Sequence, residues 1–273
     1  MRAPSTILIS PFVLGTGLML YTAWENDGKF AIWIAPFFII AAMIYVMSPQ
    51  IDWWWYSQHP PKIDEPLLAL LRRYSVVYQQ LSETEKQFVE ARTGLIMLDK
   101  NYMPMGGMES VTSDVELWVS FHLAVLTLKK KNDFHITPFE NIVVYPRLFP
   151  SPQHPNDFHA SEIFEEDGVV MVGIEPMVNG ITQANKFYNV ILHEWLKVYM
   201  LHFKPDFETL NTATWEQLTQ ISGFSKAHIE QCIGLPDVEQ SLVVLHHFFV
   251  FRAPFKAQLP ALNAMLEAHF FEL

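Results

Sequence analysis

Within Val190-Ile-Leu-His193-Glu194-Trp195-Leu196-Lys197-Val198-Tyr199, two adjacent residues have the chemistry of a metal-assisted hydrolase. A neutral imidazole is a metal ligand, and a carboxylate beside it serves as a general base toward a metal-bound water. In the pattern H-E-x-x-H, residues four apart lie on one face of a helix, so two imidazoles bind one zinc while the Glu reaches its water. Here the residue four after His193 is Lys197. A protonated ammonium has no lone pair and cannot ligate zinc. Taken alone, a two-residue His-Glu reads better as a core histidine satisfied by a hydrogen bond.

The elements that must position these residues follow from periodicity. Tyr188, Val190, Ile191, Leu192, Trp195, Leu196 and Val198 make the stretch apolar almost all round, which predicts a buried helix from about Gln183 to Leu201. A buried His-Glu pair then needs polar partners. Upstream, Ile142-Val-Val-Tyr145 and Gly168-Val-Val-Met-Val-Gly173-Ile174 read as two strands able to pair, with a polar loop over 150–167 between them. Helices are expected over 65–80, from the capping box Ser82-Glu-Thr-Glu85 to about Thr93, and from Ser113 to near the Lys129-Lys130-Lys131 run. Others are expected over 215–221, 225–233, 238–251 with Asp237 as its cap, and 261–270. Met103-Pro-Met-Gly-Gly107 reads as a turn, and the lysine run as a solvated helix end. His202 falls on the opposite helical face from His193, while His122, His228 and His269 read as helix-surface or core residues. No Gly-rich phosphate loop, C-x-x-C pair or G-x-S-x-G elbow is present.

The 273 residues are 50% hydrophobic, with a formal net charge of -11. Residues 1–51 carry only Arg2, Glu25, Asp27 and Lys29, which cancel, so the acidity belongs to the remainder and argues against nucleic acid as a partner. One cysteine, Cys232, excludes a disulfide within the chain and fits a reducing compartment. The runs from Ala3 to Trp24 and from Phe30 to Ile51 contain no charged residue, and each is about the ~20 residues needed to cross a bilayer as a helix. With the short polar loop between them, they predict a transmembrane hairpin over 1–56. A signal peptide is the competing reading of the first run, but it lacks a clear small-x-small cleavage site and a second span follows at once. Trp53-Trp54-Trp55-Tyr56 then reads as an interfacial belt, 57–64 as a linker, and 65–273 as the soluble domain. Arg2, Lys62, Arg72 and Arg73 lie on one side of such a hairpin, which places both ends, and the domain, on the cytoplasmic side of the cytoplasmic membrane.

From about Leu81 onward the chain resembles the Mlc titration factor A (MtfA) family, glucose-regulated zinc metallopeptidases with a zincin-type fold. The likeness lies in the order and spacing of five blocks: Gly107-Met-Glu-Ser-Val-Thr-Ser-Asp114; Asn141-Ile-Val-Val-Tyr145-Pro146-Arg-Leu-Phe149; Asp167 to Ile174; Asn189-Val-Ile-Leu-His193-Glu194; and His247-Phe248-Phe249 followed by Pro254, Leu259-Pro260 and Leu262. The resemblance implies an α+β, zincin-like domain with a small antiparallel or mixed sheet and several helices. It puts His193 on the first zinc ligand, Glu194 on the general base and Lys197 on the second ligand. Met200 stands where the family has an Asp, and His246 (His247 if the alignment shifts by one) where it has a third-ligand Glu.

Three readings follow. The first is a pseudopeptidase, with zinc absent or weakly bound and Lys197 paired to Glu194 at i, i+3. The second is an active, aminopeptidase-like enzyme with a rewired zinc site, using His193, His246 and a further donor from His247, His154, Asp157, His159 or Glu162. In the third, a deprotonated Lys197 takes part. The first is preferred, with a peptide or protein as partner laid along strand 168–174; a membrane scaffold is the blander alternative.

Overall fold

The two charge-free runs at the start become helices whose side chains are not packed into a core. The computed structural model describes residues 3–26, 28–130 and 134–271, and Arg2, Asp27 and Lys131 lie outside them. The chain forms two units, Met1–Pro61 and Lys62–Leu273.

In the first unit, α1 (Pro4–Glu25) leads through a short 3-10 segment, Gly28–Trp33, into α2 (Ile34–Val46) and then α3 (Ser48–Gln58). Pro4–Glu25 and Gly28–Val46 are long and apolar enough, by length and composition, to cross a membrane. Their large apolar side chains, Leu14, Leu18, Leu20, Ile32 and Phe38 among them, are exposed. The second run does not continue as one helix to Ile51. It breaks at Met47 and restarts at Ser48, with Pro49 in the first turn, where a missing N–H leaves no hydrogen bond unmade. The carboxylate of Asp52 in α3 accepts from the Ser5 backbone N–H at 2.7 Å and from its hydroxyl at 2.8 Å, satisfying a donor at the start of α1. α1 and α2 approach closely at Gly15, where a Cβ would lie 2.5 Å from the Phe37 ring.

The second unit is α+β. It begins with α4 (Glu65–Tyr74) and α5 (Val76–Gln79), which divide the helix expected over 65–80. Ser75 is extended at the break, and its hydroxyl accepts from the Tyr78 N–H. α6 (Glu83–Asp99) starts at the Ser82–Glu85 capping box. It runs past Thr93 because Gly94, Leu95 and Ile96 are buried. Next come β1 (Asn101–Pro104), α7 (Ser113–Leu126), β2 (Asn141–Tyr145), β3 (Ser161–Phe164) and β4 (Val169–Gly173).

The sheet is mixed, in the order β1-β2-β4-β3. β1 and β2 are parallel, with Asn101 opposite Asn141; β2 and β4 are parallel, with Asn141 opposite Val169; β3 and β4 are antiparallel, with Ser161 opposite Val172. β1 overlaps the start of the turn expected over 103–107, and β3 lies in the polar loop. Consequently the 168–174 strand is not an edge. Hydrogen bonds to β2 and β3 occupy both its sides, which rules out strand addition there. The outer strands are β1 and, beside β4, β3, with Ser161, Glu162 and Ile163 all buried.

α8 (Ile174–Thr182) precedes α9 (Val190–Phe203), so the central helix begins at Val190 and not near Gln183. The Asn189 side chain fixes that start by accepting from the Leu192 N–H at 3.2 Å. α10 (Trp215–Ser222) and α11 (Lys226–Ile233) end at left-handed Gly223 and Gly234. α12 (Gln240–Val250), α13 (Arg252–Gln258) and α14 (Pro260–Phe270) complete the chain. Asp237 does not cap α12: its φ is 60°, and its N–H donates to Glu230 Oε1 at 2.9 Å. α7, α9 and α12 form the centre of the core, tied where Trp195 Nε1 donates to the Val119 carbonyl at 3.0 Å.

Candidate functional site

α9 carries His193, Glu194 and Lys197 to a cavity of about 250 Å³, which Ser161 and Glu162 of β3, His154, and the segment before α12 also line. His193 and Glu194 are 7% and 3% exposed, so each must find partners within the protein. His193 Nδ1 shares a hydrogen bond with the Tyr188 hydroxyl at 3.0 Å. Glu194 Oε1 accepts from Ser161 Oγ at 2.7 Å. The ion pair expected between Lys197 and Glu194 is not formed among the described residues; Glu194 takes its donor from the Ser161 hydroxyl.

Burial and charge set the proton inventory. Burial pushes His193 down to about 3, and the nearby Lys197 charge adds to that, so the imidazole is neutral at pH 7. Burial pushes Glu194 up to about 7; the Ser161 hydrogen bond and the Lys197 charge oppose the rise, and Glu162 adds to it. The cavity therefore holds a neutral imidazole, a carboxyl poised to gain or lose a proton near neutrality, and a cation at the position four residues after His193.

The segment entering α9 is held from behind. His122 donates from Nδ1 to the Trp118 carbonyl at 2.6 Å, and its Nε2 accepts from Asn189 Nδ2 at 2.9 Å. Asn189 donates its backbone N–H to His246 Nε2 at 3.2 Å. The His246 ring stacks on Tyr188, with centroids 3.9 Å apart. At Gly180 a Cβ would stand 2.3 Å from the Tyr188 carbonyl oxygen, so only glycine lets α8 lie against this turn. Ser161, Tyr188, Asn189 and His122 thus hold the site, although periodicity marks them only as core or loop.

His246 is 1% exposed and does not line the cavity, and its Nδ1 has no partner among the described residues. His247 faces elsewhere, its Nε2 2.8 Å from Ser222 Oγ. Of the 150–167 candidates, His154 and Glu162 line the cavity. His159 is buried behind Glu162, 3.2 Å from its Oε2, and also contacts the Asp157 carbonyl at 3.0 Å. The residues present do not fit the zinc of H-E-x-x-H. Position 197 supplies a cation, His246 directs its Nε2 lone pair to a backbone N–H, and no three His, Cys, Asp or Glu side chains converge among the described residues.

A family model described as glucose-regulated metallo-peptidase M90 matches residues 52–198, more than half of the chain. The matched region takes in all four strands together with His193, Glu194 and Lys197, and stops before His246. Comparison with curated proteins returned no match.

Proposed function

The chain belongs to the glucose-regulated metallopeptidase family M90, and from that premise we propose that it is a membrane-anchored pseudopeptidase of zincin type. On this reading it binds a peptide or protein in the α9 cavity without hydrolysing it. The observation that carries the reading is Lys197 in the cavity, on the helical face where the motif needs its second imidazole. The engagement of His246 by the Asn189 N–H gives it further support. Glu194 keeps the place of a general base. Support for the zincin assignment comes from the mixed sheet, whose antiparallel outer strand, β3, supplies Ser161 to the His193–Glu194 helix.

Exposed apolar helices of spanning length need an apolar solvent, and lipid matches Pro4–Glu25 and Gly28–Val46 in length and composition. We assign residues 1–56 to an anchor, 57–64 to a linker, and 65–273 to a domain on the cytoplasmic face. His154 and Glu162 beside His193 are the features that favour the competing reading, a peptidase with a rewired zinc site.

The deciding measurement is the metal content of the full chain purified in detergent. The expected result is zinc far below one per chain. Stoichiometric zinc in the wild type, lost on His193→Ala, would overturn the proposal.

A further inference from the structure

Methionine is among the residues most often buried, yet three of the chain's 12 methionines stand together in Met103-Pro-Met105-Gly-Gly-Met108, at an outer edge of the sheet. Met103 is 38% and Met105 46% exposed, and Met108 is half-buried. None of the three lines the α9 cavity.

The backbone puts their side chains on one face. β1 runs in register beside β2, and its residues alternate between the two faces of the sheet. Tyr102 turns toward α7, its hydroxyl 2.6 Å from Ser120 Oγ, so Met103 and Met105 point the other way. Met105 extends the ladder by donating its N–H to the Val144 carbonyl at 2.8 Å. The chain then reverses through Gly106 and Gly107, whose φ angles are 63° and 84°, and the Met108 N–H donates back to the Met105 carbonyl at 3.4 Å. Positive φ at both central residues marks the primed turn that closes a hairpin. Residues flanking such a turn lie opposite each other, with Cβ atoms about 5 Å apart, and a diagonal neighbour stands at about 7–8 Å. Met105 and Met108 are the flanking pair, and Met103 is the diagonal neighbour. A Cβ at Gly106 would stand 2.8 Å from the Pro146 ring, so the turn is seated against the loop after β2. Pro104 offers no N–H to a further strand, which leaves this edge and its methionines uncovered.

A thioether sulfur is a soft donor with no proton to lose, and it selects copper(I) over the harder divalent ions. Leucine or phenylalanine would serve a purely apolar patch as well; sulfur is what these three positions share. The methionine side chain has three rotatable bonds, enough for three sulfurs at this spacing to converge on one ion. The net charge of -11, carried by the chain beyond residue 51, draws cations to it. We infer that Met103, Met105 and Met108 form a surface site for a soft monovalent cation, copper(I), held by three thioether sulfurs. The inference is independent of the α9 reading.

The test is an oxygen-free calorimetric titration of the acetonitrile complex of copper(I) into the full chain in detergent, in a Cys232→Ser background that removes the one thiol. X-ray absorption on a sample loaded below one equivalent reads the ligands. The expected result is saturable binding with a sulfur-only shell. Met105→Leu, which keeps the apolar volume, should weaken binding roughly 10- to 100-fold. Met103→Leu, Met105→Leu and Met108→Leu together should abolish it, with folding checked by near-UV circular dichroism. No binding, a shell of nitrogen or oxygen, or undiminished affinity in the folded triple variant would overturn the inference.

Discussion

Lowering the pH from 7 to 5 should unfold much of the protein, and the structure sets the size of the effect. His122, His193, His246 and His247 are all buried. Burial pushes His122 and His247 down to about 4, His193 to about 3, and His246 well below the ordinary histidine range. In the unfolded chain each titrates near the ordinary histidine value of 6.5. A depressed histidine pKa means that the unfolded state binds the proton first, so stability is present above 6.5 and lost as the pH falls toward the folded values. At pH 5 each of His122, His193 and His247 costs about 2 kcal/mol relative to its unfolded state, hence about 6 kcal/mol for the three, and His246 acts in the same direction. Glu194 acts in the opposite sense. Its folded pKa of about 7 lies above the ordinary glutamate value of 4.5, so protonation favours the folded state and returns about 2 kcal/mol between pH 7 and 5. The net loss from these groups is about 4 kcal/mol, to which His246 adds, approaching the total stability of about 5–15 kcal/mol of a typical domain. Urea denaturation of the full chain in detergent, followed by near-UV circular dichroism at pH 7, 6 and 5, measures it. His247→Gln should recover about 2 kcal/mol of the loss. A denaturation midpoint that stays flat from pH 7 to 5 would refute the reasoning, since at least one of these imidazoles would then be charged in the folded chain.

Two substitutions probe how the site is held. Ser161→Ala removes the hydroxyl that donates to Glu194 at 2.7 Å and should cost about 1–3 kcal/mol at pH 8, where the carboxylate is ionised, and less at pH 6, where it is protonated; a cost independent of pH, measured by urea denaturation, would contradict this. Gly180→Val would set its Cβ against backbone, 2.3 Å from the Tyr188 oxygen and 2.8 Å from Asn189 Cα, and should destabilise by about 1–3 kcal/mol while moving Tyr188 off His193; an unchanged melting temperature would count against the close approach.

The helices with strong end signals are legible in the sequence. Ser82 and Glu85 form their capping box, and α10 and α11 stop at Gly223 and Gly234, because capping is decided by residues within one turn. The sheet is legible only in part. Val169–Gly173 announces itself with β-branched residues, whereas Asn101–Pro104 and Ser161–Phe164 are four residues each, too short for an alternation to stand out. Strand order is a long-range property, so nothing local to 168–174 marks it as interior. The same limit applies to the site. His193, Glu194 and Lys197 are visible from their spacing, but Ser161 is 33 residues away from Glu194 and His122 is 67 from Asn189. Only the packing of β3 and α7 against α9 brings them together.

Charge explains how this helix can do without a metal on the proposed reading. A zinc ion would bring two positive charges into a cavity walled by Glu162 and Glu194, and buried carboxylates persist only where charge or hydrogen bonds compensate them. Lys197 brings one. The shortfall shows in Glu194, which burial and Glu162 push up to about 7 even with Ser161 and Lys197 pulling the other way. A lysine here therefore replaces half the charge, and a proton on Glu194 supplies much of the rest near neutrality. The imidazoles meet the same requirement by staying neutral and turning their nitrogens to the fold: His193 to the Tyr188 hydroxyl, His246 to the N–H of Asn189.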